Sequence, residues 1–502
     1  MTVRSTALAL VCAFGLHLAF PLTGWWWLAP LAIAGLTASW SRLEPRWAAL
    51  VGFASGMVFF AFGFSWMGET AGALLGPGAP ILDLGPALIE APAFAFAAWV
   101  TSLAARRCDV RLAPVAAAAA FTLAEVLRST GVMGAPLEQI GVAMIDSPLR
   151  PIAAYLGVYG ITFATVLLGT TLGWWLLDRH DARRTRTVLA AWLGVAACAA
   201  LAWAMWPARH YAPPARRVAA VQGGIAQTLK MSPEGLRVAV ERYTTLTVSL
   251  APRRPTLVLW PETVITTELN APRPDTHDIA MRIAKISRDL DATVYAGSLA
   301  RIRPSGTANA IFVYDPHGER GSAATGASGV YAKEQLVPFA EYVPGPAWLR
   351  TLPYADQIGI YVPGTNRVRT FDGATPLICW ESLFGDIAHA RLAENPSLLL
   401  IATDDAWFGT TEFPYEHAMA ATVRAVETGR WVLRAGATGI SGIVAPDGTW
   451  TQRTQLGGPA VVVGDVGAPA PGPYAVLGPT PIGMALALVA LMPFLRRGPR
   501  RT

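Results

Sequence analysis

Three reactive side chains in the second half of the chain, Glu262, Lys333 and Cys379, each stand at the end of a short apolar run. A thiol that attacks a carbonyl carbon needs a base to accept its proton and a donor to stabilise the oxyanion that forms. Glutamate and lysine can supply these two functions. Because α/β folds place ligands and catalytic groups at strand ends, the three positions predict one acyl-transfer site.

Cys379 gives the strongest single indication of catalysis. Cys12, Cys108 and Cys198 lie in or beside apolar segments, so the sequence offers neither a disulfide framework nor metal-ligand spacing. A lone thiol is either buried filler or a nucleophile. The next residues, 380–382 (WES), lead towards a predicted helix, and such a strand-turn-helix exposes a nucleophile and offers backbone N–H groups to an oxyanion.

Glu262 and Lys333 also have an ordinary interpretation, since either could be a solvated charge at a strand end. Lysine is rare in this chain, however, with only Lys230, Lys285 and Lys333 among 40 basic residues. A compact ammonium fits a tetrahedral oxyanion without the broad fork of arginine. The apolar run before Glu262 is expected to raise the proton affinity of its carboxylate through desolvation.

The elements that position these residues form a predicted α/β domain over 207–473. Short β-rich runs alternate with helical patterns, which is typical of that class. The sequence has no internal repeat and no glycine-rich phosphate loop in a strand-to-helix context, so nucleotide binding has no support. The predicted strands include 218–221, 256–260, 293–296, 310–314, 376–379 and 397–402, and the predicted helices are 236–250, 277–290, 384–393 and 415–428.

The rest of the chain is predicted to lie in a membrane. Hydrophobic residues make up 53% of the chain, charged residues 15%, and the mean hydropathy is +0.38. A bilayer core about 30 Å thick needs roughly 20 apolar residues per helix. Such runs predict a domain of seven helices at 1–206 and a last helix with a cytoplasmic tail at 474–502. The eight predicted spans are 5–21, 24–41, 47–67, 79–105, 112–128, 151–178, 187–206 and 474–495.

The arginines predict the orientation of these spans. With the N-terminus in the cytoplasm, arginine clusters fall at every cytoplasmic loop, while Arg128 and Arg150 edge an outer loop. The α/β domain would then lie outside the cytoplasm. This distribution explains the formal charge of +6 better than binding of nucleic acid does. The clustered arginines are Arg4, Arg42, Arg46, Arg106, Arg107, Arg111, Arg179, Arg183, Arg184, Arg186, Arg496, Arg497, Arg500 and Arg501.

Four motifs in order carry a resemblance to a known family. They are 222–225 (QGGI), 260–262 (WPE), 336–344 (LVPFAEYVP) and 379–381 (CWE). Together with the apolar helices, they resemble the nitrilase superfamily and, within it, the membrane-embedded apolipoprotein N-acyltransferase family, over essentially the whole chain. The resemblance implies an αββα sandwich in a multi-pass protein of the bacterial cytoplasmic (inner) membrane, with the catalytic domain on the extracytoplasmic, periplasmic side.

The same resemblance implies a reaction. Glu262 would act as general base, Cys379 as nucleophile and Lys333 as oxyanion stabiliser. Cys379 would take an acyl chain from a phospholipid, with phosphatidylethanolamine as the expected donor, to give a thioester. The N-terminal amine of an S-diacylglyceryl-cysteine lipoprotein would then attack that thioester. No metal and no diffusible cofactor would be needed, and a monomer is expected.

Three further residues are implied to support this triad. Glu341 would hold Lys333 in place, while Glu381 and Trp380 would support the site beside the nucleophile. Two positions depart from the family's pattern, because Met231 stands where related enzymes often have tryptophan and Trp380 where tyrosine is familiar. These departures leave the triad intact and concern only lid or substrate contacts.

Two other functions would fit parts of the sequence. A membrane-tethered nitrilase-type amidase acting on a small amide would share the triad but would have little need of eight helices. A scaffold or transporter with a degenerate nitrilase domain would be expected to carry ionisable groups within the membrane. The predicted spans contain few beyond Glu90 and Glu125.

Two loops are predicted gates for a lipid substrate, at 348–362 and 404–415, because they are rich in aromatic, glycine or proline residues. Their large apolar side chains could line a lipid entrance or dip into the membrane interface. They could equally be core residues. The candidates are Trp348, Leu349, Trp407, Phe408 and Phe413.

Four other polar residues have weaker claims to function. Glu138 and Gln139 lie in the loop before the sixth predicted span and could reach lipid head groups, but an acid in such a loop is more often solvated. We therefore expect both to face water. His389 and His417 lie in predicted helices without metal-ligand companions, and we expect structural roles for them.

Overall fold

The computed structural model describes residues 2–68, 84–210, 215–302, 306–318, 322, 324–351 and 359–495. The chain divides into two compact units. The helical unit comprises Met1–Trp206, Thr411–Met419 and Gly472–Thr502. The α/β unit comprises Pro207–Thr410 and Ala420–Pro471.

The helical unit is built from long apolar helices. Four are long and apolar enough to cross a membrane, by length and composition: Pro45–Gly63, Leu84–Arg107, Arg150–Leu177 and Ala182–Ala204. The total of eight spans stays a prediction, and residues 79–83 of the fourth predicted span lie outside the described residues. In chain order the helices are α1 Thr2–His17, α2 Leu28–Trp40, α3 Pro45–Gly63, α4 Leu84–Arg107, α5 Ala113–Arg128, α6 Ala153–Leu177, α7 Ala182–Ala204 and the C-terminal helix Thr480–Leu495.

Aromatic rings join four of these helices. The ring of Phe94 on α4 lies 6.3 Å from that of Trp40 on α2, 5.2 Å from Phe59 on α3 and 5.1 Å from Phe121 on α5, between centroids. Pairs of this kind contribute about 0.5–1.5 kcal/mol each beyond the apolar area that they bury. Helices α2 to α5 therefore share one aromatic core.

Two acids of the predicted spans, Glu90 and Glu125, are paired with one arginine. Glu90 and Glu125 are buried, and their carboxylate oxygens lie 3.5 and 3.8 Å from Arg128. Ion pairing inside a helical bundle accounts for both residues without a transport pathway. The structure therefore adds no support to a transporter.

The α/β unit contains two sheets, whose strands are β1 Arg216–Gln222, β2 Leu257–Leu259, β3 Ile265–Glu268, β4 Thr293–Ile302, β5 Gly306–Tyr314, β6 Gly329–Ala332, β7 Ala374–Ile378, β8 Leu398–Thr403, β9 Trp431–Gly436, β10 Gly442–Val444, β11 Trp450–Arg453 and β12 Ala460–Val466. The first sheet has the order β12-β1-β2-β4-β5-β6, with β3 paired to β4. The second has the order β11-β10-β9-β8-β7. Strands β1, β2 and β4 run parallel, as do β7, β8 and β9.

Side chains of these strands alternate between two cores. Along β1, Val218 and Ala220 belong to a core shared by both sheets, whereas Ala219 and Val221 belong to a core shared with helices. This period of two is that of a strand buried on both faces. The first sheet packs on α8 Gly235–Val248 and α9 Pro274–Leu290, and the second on α10 Gly385–Arg391 and α11 Phe413–Thr428. Helix, sheet, sheet and helix form the nitrilase-like αββα layers that the family resemblance implies.

Candidate active site

The ends of three strands bring the three predicted reactive residues together. Lys333 and Cys379 come directly after β6 and β7, and Glu262 follows β2 across a short turn. All three side chains are buried. Lys333 Nζ lies 3.2 Å from Glu262 Oε1, and the Cys379 sulfur interacts electrostatically with both of these residues and with Asp405.

The Lys333 ammonium lies between two glutamates. It donates to Glu262 Oε1 at 3.2 Å and to Glu341 Oε1 at 2.9 Å. The side-chain amide of Asn309 on β5 donates to the same two oxygens, at 2.5 and 3.2 Å. The backbone N–H of Val337 donates to the other Glu341 oxygen at 2.8 Å. Glu341 therefore stands where it can hold Lys333, and Asn309 is a contact that the sequence analysis missed.

Asp404 and Lys230 are two more residues of this site that the sequence analysis did not single out. Asp404 follows β8 and donates its backbone N–H to Glu262 Oε2 at 2.8 Å. Its buried carboxylate pairs with Lys230, whose Nζ also donates to Thr263 Oγ1 at 2.7 Å. Lys230 is thus a second buried cation beside Glu262, whereas the Lys285 side chain is 69% exposed. The rarity of lysine in the sequence was the signal that could have found it.

Gly297 of β4 lets the turn that carries Glu262 come close to the sheet. A Cβ at this position would lie 1.8 Å from the Pro261 carbonyl oxygen and 2.9 Å from the Glu262 Cα. Both atoms are backbone and cannot rotate away, so only glycine fits. The close approach fixes the position of the Glu262 backbone against β4.

Cys379 starts a short 3-10 helix, Cys379–Leu383, and has a φ of 49°. A residue other than glycine rarely takes this left-handed conformation, which is found at active sites where the surrounding structure enforces it. Ser382 Oγ donates to the Cys379 carbonyl oxygen at 2.7 Å and holds the turn. The predicted strand-turn-helix around the thiol is therefore present.

The protonation states follow from burial and from the partners. Burial alone would raise the pKa of Glu262, but Lys333, the Asp404 amide and Asn309 together hold its pKa below the usual range. The predicted rise in proton affinity is wrong, because it counted desolvation without these partners. Burial and the charge of Glu262 raise the pKa of the Cys379 thiol well above its usual value, although Lys333 opposes them. The resting site holds an ionised glutamate, an ammonium and a neutral thiol.

Glu381 links the segments that carry the nucleophile and Lys333. Its buried carboxylate accepts from the backbone N–H groups of Ile378 and Glu334 at 2.7 and 2.8 Å, and from the Tyr331 hydroxyl at 2.8 Å. These donors belong to the end of β7, to β6 and to the loop after β6. These hydrogen bonds fix the distance between the two strand ends. This agrees with a supporting position for Glu381.

The two residues that depart from the family's pattern lie in different surroundings. Trp380 is buried, its ring packs on Phe384 at 6.0 Å between centroids, and its indole N–H has no hydrogen-bond partner within the described ranges. Met231 is 64% exposed. The methionine after the buried Lys230 is therefore exposed, whereas Trp380 is buried against Phe384.

The candidate lipid-facing residues separate into two groups. Trp348 and Trp407 are exposed, and Leu349 and Phe408 are partly buried. Phe413 is buried, so it is a core residue and not a lipid-facing one. Residues 352–358 of the first predicted gate lie outside the described residues.

The prediction that Glu138 and Gln139 face water is wrong. Both side chains are buried. Their loop folds against the end of α5, because Arg128 donates to three of its carbonyl oxygens and the Gln139 amide donates to Ser129 Oγ at 2.9 Å. These hydrogen bonds, which the sequence does not reveal, hold the loop in place and keep Glu138 buried. His417 is also buried, and His389 is partly buried.

Comparisons with known proteins cover both units of the chain. Residues 12–171 match the family described as the apolipoprotein N-acyltransferase N-terminal domain, and residues 217–469 match the carbon-nitrogen hydrolase family. The apolipoprotein N-acyltransferase of Azotobacter vinelandii is 33% identical over 88% of this chain and 85% of that protein. The protein of the same name from Methylococcus capsulatus is 31% identical over 89% of this chain and 87% of its own length.

Among solved structures, an amidase from Nesterenkonia sp. is 19% identical, with a TM-score of 0.40 over 55% of this chain and 98% of that chain. This similarity is too low to indicate an activity. The matches to the apolipoprotein N-acyltransferases extend over the apolar helices as well as the sheets.

Proposed function

The chain belongs to the apolipoprotein N-acyltransferase family, and we propose that Glu262, Lys333 and Cys379 carry out its acyl transfer. The observation that carries this assignment is the Lys333 ammonium held between the buried carboxylates of Glu262 and Glu341, at the strand ends that also deliver the only thiol of the α/β unit. The match over residues 12–171 favours this function over a tethered amidase, because hydrolysis of a small amide needs no membrane domain.

In the first half-reaction the Cys379 sulfur attacks the ester carbonyl carbon of a phospholipid. The thiol proton passes to Glu262, and the carbonyl oxygen gains a negative charge that Lys333 stabilises. The carbon–oxygen ester bond then breaks. The lysophospholipid leaves with the proton from Glu262, and the acyl chain stays on sulfur as a thioester.

In the second half-reaction the N-terminal amine of a diacylglyceryl lipoprotein attacks the thioester carbon. The amine gives a proton to Glu262, the carbon–sulfur bond breaks, and the Cys379 sulfur recovers that proton. An amide of the lipoprotein and a neutral thiol result. Since the pKa of Cys379 is raised and that of Glu262 lowered, the thiolate forms as the sulfur attacks and not in the resting enzyme.

Intact-protein mass spectrometry tests the covalent order directly. Phosphatidylethanolamine alone should add one acyl chain to the purified full-length protein through a bond that hydroxylamine cleaves. A diacylated lipopeptide should then remove the chain and gain it as an amide. An enzyme that stays unmodified while the lipopeptide is acylated would show direct transfer. Hydrolysis of small amides without acyl transfer would instead support the tethered amidase, and parallel reactions with phosphatidylglycerol would report the head-group preference.

The proposal includes an orientation, with residues 207–473 outside the cytoplasm, eight spans and both termini inside. It is supported by the arginine distribution and by the four helices that are long and apolar enough to cross a membrane. Single cysteines at the exposed positions Ser249 and His180 provide a test. In spheroplasts, an impermeant maleimide should label S249C and not H180C. The reverse pattern would overturn the orientation.

A further inference from the structure

The helical unit contains a second cluster of buried acids, made of residues that take no part in the candidate active site. His17 ends α1, Glu138 lies in the loop after α5, and Glu412 and Glu416 belong to the Thr411–Met419 segment of this unit. The three glutamates are buried, and the His17 side chain is 14% exposed. His17 Nδ1 lies 3.9 Å from Glu138 Oε2, and His17 Nε2 lies 3.8 Å from Glu412 Oε2. Ionisable groups from three distant segments thus meet at one place.

Glu138 is held in this cluster from several sides. Its backbone N–H donates to Glu416 Oε1 at 2.6 Å. A Cβ at Gly63 would lie 2.4 Å from the Glu138 Cδ, so the missing side chain at Gly63 makes room for the carboxylate. Yet neither carboxylate oxygen of Glu138, which is 1% exposed, accepts a hydrogen bond from a residue that the structure describes. A buried carboxylate that faces ligating groups and lacks a donor needs a partner, and a cation would supply it.

Arg128 does not supply that partner. Within the described residues it donates to three backbone carbonyl oxygens of the loop 135–138, at 3.0, 2.7 and 2.9 Å. It shares its charge with Glu90 and Glu125 as well. Three carboxylates and one imidazole therefore remain, and a buried excess of negative charge is unfavourable.

We propose that His17, Glu138 and Glu412 bind one divalent transition-metal ion with the ligand preference of Zn²⁺, and that Glu416 holds Glu138 in position. One imidazole nitrogen and two carboxylate oxygens suit Zn²⁺, whereas Mg²⁺ and Ca²⁺ prefer oxygen ligands alone. One ligand atom from each of the three residues lies within 4.8 Å of the other two. Ligand atoms around tetrahedral Zn²⁺ are about 3.3 Å apart, so side-chain movements of about 1 Å complete the site.

The ion would tie together the end of α1, the loop after α5 and the segment Thr411–Met419. It stabilises the helical unit and takes no part in the acyl transfer. The sequence predicts no metal site, because the ligands come from positions far apart in the chain and form no short motif. Only the fold brings them together.

The test uses tag-free, full-length protein in detergent, first stripped with a chelator. Cys379→Ala serves as the background, so that the buried thiol cannot contribute a zinc ligand. After incubation with Zn²⁺ and gel filtration, elemental analysis should find about one zinc per chain, and the thermal midpoint should rise with Zn²⁺ until it saturates. Mg²⁺ at the same concentration should leave the midpoint unchanged.

Glu138→Gln and Glu412→Gln should each lose the bound zinc and the rise in midpoint. Glu44→Gln, an exposed glutamate of the same unit, is the matched control and should keep both. If Glu138→Gln does not fold, His17→Gln gives the same readout at a less buried position. Absence of stoichiometric zinc in the parent protein, or equal zinc in Glu138→Gln and Glu44→Gln, would overturn the proposal.

Discussion

Glu262 and Glu138 are both buried glutamates, but their surroundings are opposite. Both oxygens of Glu262 accept hydrogen bonds, from Lys333, an amide side chain and a backbone N–H. Neither oxygen of Glu138 does so from the part of the chain that the structure describes. Burial would raise the pKa of Glu262, but its partners lower it overall, whereas burial and Glu412 raise the pKa of Glu138 well above its usual value.

The difference shows which partners a buried acid needs, and what the absence of those partners indicates. A buried charge is stable when its lone pairs are occupied and an opposite charge is near. The active-site acids meet both conditions inside the α/β unit, so their ionised state is built in before any substrate arrives. The cluster around Glu138 meets them only in part, since neither Glu138 oxygen accepts a hydrogen bond from the described residues and His17 lies 3.9 Å away. A missing ligand is the simplest physical reason for placing these acids together.

The largest expected effect comes from breaking the paired cluster of Glu262, Lys333, Glu341 and Cys379 at the nucleophile or at its base. Cys379→Ala should fold and carry no acyl chain after exposure to phospholipid. Glu262→Gln should load about 10²–10⁴-fold more slowly, because an amide cannot accept the thiol proton. Timed mass spectra of the intact protein measure both. Loading of Glu262→Gln at the parent rate would remove Glu262 from the mechanism.

Lys333→Arg should be nearly as inactive as Lys333→Ala, with loading reduced about 10²–10³-fold. Lys333 is fully enclosed, and the wider guanidinium cannot occupy the place of an ammonium between Glu262 and Glu341. The same loading assay applies. Lys285→Arg, at an exposed position, is the matched control and should load normally. A fully active arginine variant at 333 would contradict the assigned role.

The paired cluster was largely predictable from the sequence, and the reason lies in its placement. Glu262, Lys333 and Cys379 follow apolar strands closely, and a period-two pattern reveals such strands. Asn309 lies inside a strand, and Asp404 contributes a backbone N–H, so neither contact has a signature in residue types.

The cluster around Glu138 in the helical unit was not predictable, and neither was part of the second sheet. Glu138 was predicted to lie in a solvated loop, because nothing in the local sequence indicates the hydrogen bonds of Arg128. Strand β9 was missed because Arg434 interrupts its apolar run. In the structure Arg434 is buried and pairs with Asp405 at 2.7 Å. Long-range pairing decides both cases, and a sequence pattern reports only local preference.

Removing Glu341 from the active site and removing Glu138 from the cluster in the helical unit should affect stability differently. In zinc-free protein, Glu341→Gln should lower the free energy of unfolding by about 1–3 kcal/mol, because Lys333 loses a buried partner. Glu138→Gln should not lower it, because neither Glu138 oxygen accepts a hydrogen bond from the described residues. Thermal midpoints in detergent with chelator measure both, and a lower midpoint for Glu138→Gln would show that Glu138 is compensated after all.

The smallest expected effect concerns the reactivity of the thiol. Because burial and Glu262 raise the pKa of Cys379, its alkylation by iodoacetamide should be slow at pH 8 and should rise about tenfold per pH unit up to pH 9. Glu262→Gln removes a negative charge that opposes the thiolate, so alkylation at pH 8 should become several-fold faster even though acyl loading becomes slower. Glu341→Gln keeps Glu262 and should change the rate less.

Peptide mass spectrometry follows Cys379 separately from the other three cysteines. The opposite changes in alkylation and loading distinguish two possible roles of Glu262, as proton acceptor during attack or as the group that maintains a resting thiolate. A glutamate that only takes the proton during attack suppresses the resting thiolate and accelerates acyl transfer. If Glu262→Gln slows both reactions alike, Glu262 maintains a thiolate in the resting enzyme, and the neutral thiol inferred from the buried, paired cluster would be wrong.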